Sequence, residues 1–402
     1  MARNLVLGFI SVLLLAGGIL LTGRPEKENA TAQDAPPAPV ASPAPGFVVA
    51  PYLQYATPTS ITVCWETTFP GQSEVRYGIG TLTQTARSNK EDTFHEIQLT
   101  GLEPARAHVY QVKTEGPQGK IEGPLLTFQT AVGPEDAFSF VLIGDTQKNP
   151  KITQKIATLA WQRRPNFVVH LGDVVDNGPD KREWVNELLG PCKELIGRVP
   201  LYPCIGNHER NHALYYRYFS LPAPEYYYHF RYGNADFFSI DTNKKVGPGT
   251  EQYRWLDEQL GKSEAKWKFV FHHHPAYSSD DDDYGNTWKG VASRQGDLNA
   301  RQLVTLYEKH NVDMVFNGHI HVYERSWPLR GGKVDRERGV LYLTSGGGGG
   351  RLENFAPVPT FFKAQCRSDY HYCYITIHGG KLCLKAFDHQ GMLFDSFDID
   401  KK

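Results

Sequence analysis

The chain has 402 residues, 40% hydrophobic and 22% charged, which is globular material with room for two or three domains. Its 43 Lys and Arg nearly balance 44 Asp and Glu, leaving a formal charge of -1. That balance offers no electrostatic case for nucleic acid as a required partner.

Residues 1–32 read as a signal peptide or a signal anchor rather than as part of a fold. Arg3 gives a positive start, Leu5 to Leu21 carries no charge, and Ala30-Thr31-Ala32 offers a cleavage site. The uncharged run of seventeen residues is at the lower edge of what spans a bilayer, so membrane anchoring through it stays open. Either way the rest of the chain is expected to be exported: periplasmic, secreted, or anchored with its bulk outside. Export permits disulfides, and Cys64, Cys192, Cys204, Cys366, Cys373 and Cys383 allow about fifteen full pairings. Cys64 sits in an apolar strand pattern, and Cys192 with Cys204 is the pair to test first.

Residues 33–46 are rich in Ala and Pro and read as an extended linker. From 47 to 132 the pattern is of short alternating segments, such as Ser60 to Glu66 and His108 to Val112, separated by turn signals. This predicts a small all-β sandwich. After Gly133-Pro134 strands alternate with helices, and residues 136–402 read as a second domain. Ile152, Ile156 and Leu159 have helical spacing, as do Tyr253, Leu256 and Leu260, and Leu303, Leu306, Tyr307 and His310; all three stripes are expected to pack a core. Gly339 to Ser345 reads as a strand, and the tail from Tyr372 to Asp400 as antiparallel strands turning at Gly379-Gly380. No internal repeat is present, and no pattern speaks to oligomeric state.

The chemistry lies at the ends of five apolar runs. Phe140 to Ile143 ends in Gly144-Asp145, and Val168 to Leu171 in Gly172-Asp173. Tyr202 to Ile205 ends in Gly206-Asn207-His208-Glu209, Phe269 to Phe271 in His272-His273, and Met314 to Phe316 in Asn317-Gly318-His319-Ile320-His321. Ligands bind at the carboxyl ends of strands in open α/β sheets. Mixed carboxylate and imidazole donors suit Zn, Mn or Fe better than Ca. Two such ions can clamp a phosphoryl group and hold a deprotonated water for in-line attack, provided a carboxylate is shared between them. Asp173 is the candidate for that shared position.

These blocks, in this order, resemble the calcineurin-like metallophosphoesterases, and the match runs from about Phe138 to Gly350. The chain further resembles the purple acid phosphatase branch, through His321-Val322-Tyr323-Glu324-Arg325 after the last block. Pro51-Tyr52-Leu53-Gln54 and Leu99-Thr100-Gly101-Leu102-Glu103-Pro104 look like the fibronectin type III-like domain that precedes the catalytic domain there. The resemblance implies an α+β multidomain fold: an N-terminal sandwich over 47–132, then an α/β/β/α sandwich over 136–402. It implies two metal ions, one held by Asp145 and His321, the other by Asn207, His273 and His319, with Asp173 bridging. His208 would face the phosphate ester, steady it and protonate the leaving oxygen, and Glu209 would orient the His208 ring. A metal-bound hydroxide would be the nucleophile.

The chain departs from the branch in two places. Asp176 stands where the purple enzymes have a tyrosine ligand to iron, and Gln147 where other metallophosphoesterases have a histidine. Gln147 or Asp176 would then complete the first site, with Tyr277 or Tyr323 as substitutes, and metal identity (Fe, Mn or Zn) is open. The loop Tyr277 to Asn286 lacks the histidines of the plant enzymes and carries Asp280 to Asp283 instead. A run of four carboxylates reads as a solvated loop; over the site it would repel multiply charged phosphates. Ser345 to Arg351 reads as a flexible loop, or else as backbone donors with Arg351 as a substrate-binding cation. His272 and His274 are expected to be structural.

The function expected is phosphomonoester hydrolysis of acid phosphatase type on a phosphate-ester substrate. The alternatives are hydrolysis of phosphodiesters at the cell surface, or a non-catalytic surface-binding protein.

Overall fold

The computed structural model describes residues 44–285 and 289–401. The signal segment 1–32, most of the linker 33–46, and Asn286 in the Asp-rich loop lie outside the described residues. Among the described residues no helix is long and apolar enough to cross a membrane.

Six strands come first: β1 (Phe47–Gln54), β2 (Ser60–Gly78), β3 (Gln84–Thr100), β4 (Ala107–Gly116), β5 (Gly119–Glu122) and β6 (Leu126–Gln129). The long strands β2 and β3 each serve two sets of neighbours. Ser60 to Glu66 pairs with β1 and with Phe94 to Thr100, whereas Gln72 to Gly78 pairs with β4 and, from Ser73 to Tyr77, with Gln84 to Ser88. The register shifts around Gly71 lie between the two sets. A Cβ on Gly71 would come within 2.7 Å of the Glu115 carbonyl, so the bend needs glycine. Inward residues from both sets, among them Ile61, Val63, Trp65, Val75, Tyr110 and Val112, close over one core. The alternation seen in the sequence is therefore a sandwich pattern, although the strands are fewer and longer than its turn signals predict.

Two sheets follow. In the first, β7 (Phe138–Ile143), β8 (Phe167–His170) and β9 (Leu201–Pro203) are parallel neighbours. In the second, β10 (Tyr228–Tyr232), β11 (Ala235–Ile240), β12 (Trp267–His272) and β13 (Met314–Asn317) lie side by side. Its other edge is built from β14 (Tyr323–Ser326), β17 (Leu341–Ser345) and β18 (Lys363–Arg367), while β15 (Leu329–Arg330) and β16 (Lys333–Val334) form a separate ribbon. The tail strands β19 (His371–His378), β20 (Lys381–Asp388) and β21 (Leu393–Asp400) join the first sheet beside β7. The β19–β20 turn falls at Gly379-Gly380, as expected, with His378 opposite Lys381.

Side-chain alternation fixes how the sheets stack. Phe140 and Phe167 of the first sheet meet Phe237, Phe269 and Phe316 of the second, with ring centroids 5.3–6.1 Å apart for Phe140. The intervening residues Phe238, Val270 and Val315 point outward and bury Leu256, Leu260, Leu303 and Leu306 of the covering helices. The helix Pro150–Gln162 covers the first sheet through Ile156, Ala157 and Ala160. Its start is set by Asn149, whose side chain accepts from the Ile152 amide, and by Pro150 in the first turn. The order of layers is helix, sheet, sheet, helix.

The N-terminal strands are not a free-standing sheet. β1 pairs in parallel with β9 at Gln54 and Leu201, so one 12-stranded sheet runs from β21 to β5. Buried hydroxyls reinforce the join: Tyr52 donates to the Tyr218 carbonyl at 2.6 Å and Tyr110 to that of Gly197 at 2.7 Å. All six cysteines are free thiols, which corrects the expected Cys192–Cys204 bridge. Both belong to the same hydrophobic core, where they behave as small apolar side chains.

Candidate metal centre

Five strand ends deliver their polar residues to one rim between the two sheets. Asp145 follows β7, Asp173 follows β8, and Asn207 and His208 follow β9 on the first sheet. His273 follows β12, and His319 and His321 follow β13, on the second. Asp145, Asp173 and His319 take left-handed backbone conformations, with φ of 59°, 50° and 71°. Such conformations cost non-glycine residues about 1–3 kcal/mol each and persist where the surroundings enforce them. The glycine before each ligand has a steric reason too. A Cβ on Gly206 would come within 2.1 Å of Asp173, one on Gly318 within 2.5 Å of Asp145, and one on Gly172 within 2.6 Å of the His273 ring.

The donor atoms face one another. His273 gives its Nδ1 hydrogen to the Leu171 carbonyl at 2.8 Å, which leaves Nε2 as a lone pair. That Nε2 lies 3.0 Å from Asn207 Oδ1 and 3.0 Å from Asp173 Oδ2, both acceptors. His319 Nδ1 lies 3.1 Å from the same Asn207 oxygen. His321 Nδ1 is held by the Arg351 carbonyl at 2.7 Å, turning Nε2 toward Asp145 Oδ1 at 3.6 Å and the Gln147 amide nitrogen at 3.2 Å. Asp145 Oδ2 and Gln147 Oε1 are buried without a partner. Asp145, Asp173 and His273 offer ligand atoms within 4.8 Å of one another, and so do His273, His274 and His319. His273 is common to both groups.

Charge points the same way. Asp145, Asp173 and Glu209 are fully or almost fully buried, and no lysine or arginine among the described residues pairs with any of them. Burial, and then the Asp173 charge, push the Asp145 carboxyl well up. Burial also works against ionised Asp173, and without a cation only protons on the His273 and His208 rings offset it and hold that carboxyl down. Burial and Asp173 raise Glu209 to about 8. Converging lone pairs and uncompensated buried carboxylates are what a divalent cation relieves, and the residues fit such a group.

His208 stands at the mouth. Its backbone amide donates to Asp173 Oδ1 at 2.9 Å, and its Nδ1 lies 2.6 Å from the Asp176 carbonyl and 3.2 Å from the Asp176 carboxylate. Nε2 is left 3.9 Å from Asp173 Oδ2 on a ring that is partly exposed. The ring is therefore oriented by Asp176. Glu209, expected in that role, instead accepts the amides of Gly206, Val174 and Asp173 and locks two ligand loops together. Asp176 also pairs with Lys148 at 3.0 Å.

Three further expectations are corrected. The Asp-rich loop is solvated only in part: Asp282 and Asp283 are exposed, but Asp280 is buried and accepts the amides of Asp282, Asp283 and Tyr284, and Asp283 reaches His319 Nε2 at 2.9 Å. The glycine run is not a flexible loop. Gly346 to Gly350 is buried, Gly350 donates to the Asp145 carbonyl at 2.8 Å, and a Cβ there would strike the His321 ring at 2.5 Å. Arg351 serves the centre through its carbonyl, while its side chain is exposed. His274 is not remote from the centre, since its ring lies 4.5 Å from that of His319 with Nδ1 on Thr242 Oγ1 at 2.9 Å. His272 does face away, toward Tyr307 and Asn317.

Tyr323 gives its hydroxyl to Asp395 at 2.6 Å, and Tyr277 packs on Tyr342 and Phe362, so neither turns toward the donors. Sequence reasoning missed Glu187, which accepts the amides of Lys148 and Asp176 at 3.0 and 2.8 Å, and Glu353, which accepts that of His321 at 2.8 Å. Both are lone carboxylates in chain segments without a motif, and nothing in the sequence marks them.

Two stacked mixed sheets thus carry oxygen and imidazole donors at one rim, an arrangement suited to metal-assisted hydrolysis of phosphate esters. The family profile described as calcineurin-like phosphoesterase matches residues 138–323. Acid phosphatase type 7 of Danio rerio is 25% identical over 397 residues, spanning 85% of this chain and 88% of that protein. The Homo sapiens protein of the same name is 27% identical over 378 residues, spanning 82% and 84%. The structure of purple acid phosphatase PPD1 from yellow lupin (Lupinus luteus) seeds superposes with a TM-score of 0.76 at 20% identity, covering 89% of this chain and 74% of that one. Residues 138–323 form a calcineurin-like phosphoesterase domain, and the chain is a phosphoric ester hydrolase similar to the purple acid phosphatases. These relatives imply divalent metal ions.

Proposed function

We propose that the chain hydrolyses phosphate monoesters at a dinuclear metal centre in the manner of an acid phosphatase. The observation that carries this is the set of acceptors facing one another at one rim: Asp145, Asp173, Asn207, His273, His319 and His321. Asp145 and His321 would hold one ion, with the orphaned Gln147 oxygen as an added donor. Asn207, His273 and His319 would hold the other, and Asp173 both. Bound there, the ions supply Lewis acidity toward phosphoryl oxygens and activate water as a nucleophile.

The chain's own contribution is geometric. Hydrogen bonds from His273 to Leu171 and from His321 to Arg351 aim each ring before any ligand arrives. His208, with Nδ1 fixed on Asp176, presents Nε2 to the substrate side and delivers a proton to the leaving oxygen. Residues 47–132 are read as a fibronectin type III-like domain and 136–402 as the catalytic domain, on an exported chain.

Asp283 favours a second reading. A carboxylate beside His319 penalises a doubly charged monoester more than a singly charged diester. Turnover of an aryl phosphate and a bis-aryl phosphate, each with added Mn or Zn and with chelator, separates the readings. Chelator-sensitive release from the monoester is expected to dominate. Preference for the diester would favour the second reading, and no turnover of either would favour a binding protein.

A further inference from the structure

The loop that ends in Asp283 is held over the rim by several independent contacts. Asp280, itself buried, caps the turn by accepting three amides, and it bridges to Phe355 on the segment after the glycine run. The Asp281 amide donates to the Asn354 carbonyl at 3.1 Å. Tyr284 packs with Ile320, Val322 and Phe355 in a small apolar cluster, and its ring lies 5.9 Å from that of His319. The result is a fixed carboxylate, Asp283 Oδ2, 2.9 Å from His319 Nε2.

That contact completes a pattern. The rings of His273 and His321 each give their outer nitrogen's hydrogen to an acceptor, the carbonyls of Leu171 and Arg351. Among the described residues no carbonyl does this for His319; Asp283 takes its place. With Nε2–H donated to Asp283, the lone pair of His319 is on Nδ1, the atom 3.1 Å from Asn207 Oδ1. A carboxylate in that position fixes both tautomer and ring angle and makes the opposite nitrogen a better donor than a carbonyl does.

We propose that Asp283 is a positioning residue for metal binding: it orients His319 so that Nδ1 is the ligating atom of the second site. The Asp-rich loop is in this view a built part of the centre that acts through His319 rather than by touching metal or substrate. The inference rests on the proposal that His319 is a metal ligand.

The test is titration of the metal-free full chain with Mn(II), following the free ion by electron paramagnetic resonance. Wild type, D283A, D283N and D282A are compared, with Tm of each metal-free protein measured alongside. D283A is expected to bind Mn(II) about 10–100-fold more weakly. D283N keeps an acceptor for Nε2–H and is expected to recover most of that loss. D282A, whose side chain lies elsewhere on the loop, is expected to bind as wild type does. Metal-free Tm is expected to be alike in all four. D283A binding Mn(II) as tightly as wild type, or D283A and D282A losing affinity equally, would overturn the inference while leaving the metal centre standing. A drop in metal-free Tm for D283A that D283N does not share, without a difference in Mn(II) affinity, would make Asp283 a loop anchor and overturn it as well. Wild type that takes up no metal would overturn the inference together with the reading it rests on.

Discussion

The two stacked sheets contribute to the centre in different chemical currencies. The first supplies Asp145, Asp173 and Asn207, all oxygen donors, from loops tied down by Glu209 and Glu187 through backbone amides. The second supplies His273, His319 and His321, all nitrogen donors, each aimed by a hydrogen bond from its far side. Neither set is a site alone. The oxygen side carries buried negative charge without cationic partners, and the imidazole side has lone pairs without a cation. The centre is thus also a joint between sheets, and metal should stabilise their packing as well as catalyse. Elsewhere the sheets are joined by ordinary means, where Asp395 of β21 takes Arg325 of β14 at 2.7 Å and the Tyr323 hydroxyl.

Changing the oxygen side at its centre should have the largest effect. Asp173→Asn is expected to lose bound metal and to lower kcat/KM by more than about 10⁴-fold, beyond what proton transfer alone supplies. Elemental analysis finding a full metal complement in that variant would break the comparison, because the charge would then not be what holds the cation.

His208→Ala leaves both donor sets intact. It is expected to keep its metal while kcat falls about 10²–10⁴-fold, and less for esters whose leaving groups are strongly acidic. The diagnostic is the slope of log kcat against leaving-group pKa, which should steepen. A uniform loss across leaving groups would assign His208 to phosphate positioning.

The Asp395–Arg325 ion pair should matter for stability alone. Asp395→Asn is expected to lower stability by about 3 kcal/mol while leaving metal content and kcat unchanged. Burial raises the Asp395 carboxyl, but Arg325 and Tyr323 outweigh it and hold it below its ordinary value. A depressed carboxyl stabilises the fold above the ordinary carboxylate range and ceases to do so as pH falls through its folded value. The Tm gap between wild type and variant should therefore narrow below about pH 4. A gap that stayed constant down to acid pH would mean that packing, not charge, joins the sheets there.

Metal removal should abolish turnover but have the smallest effect on stability, and it addresses the joint directly. At free metal about 100-fold above Kd, binding adds about 2.7 kcal/mol to stability, so chelation should lower Tm by a few degrees. Hydrogen exchange should rise chiefly in the loops after β8, β12 and β13. Exchange that rose on the first sheet only would show that the imidazole side is held independently of the cation.

The identity and order of the donors were legible in the sequence because the chemistry is local to each strand end. A short apolar run, a glycine and a polar residue encode where the ligand sits, why its neighbour lacks a side chain, and which strand carries it. The helical stripes and the tail hairpin were legible for the same reason, since period and turn residues are local. What the sequence did not contain was which side chains meet across the gap between sheets. Glu209 was expected at the ring of its neighbour His208, yet its carboxylate turns inward to bind the Gly206 amide of its own loop and the Asp173 and Val174 amides of another. Asp176 orients His208 instead, through contacts that no spacing rule encodes. Asp280 to Asp283 read as a solvated run because four adjacent charges repel in an extended chain; only the folded loop buries Asp280 as a turn cap and lays Asp283 on His319. His274 was expected to be structural, but β12 ends at His272, and past that point strand alternation does not fix where a side chain points; the His274 ring lies beside that of His319. Local pattern specified the ligands, and long-range packing decided what holds them.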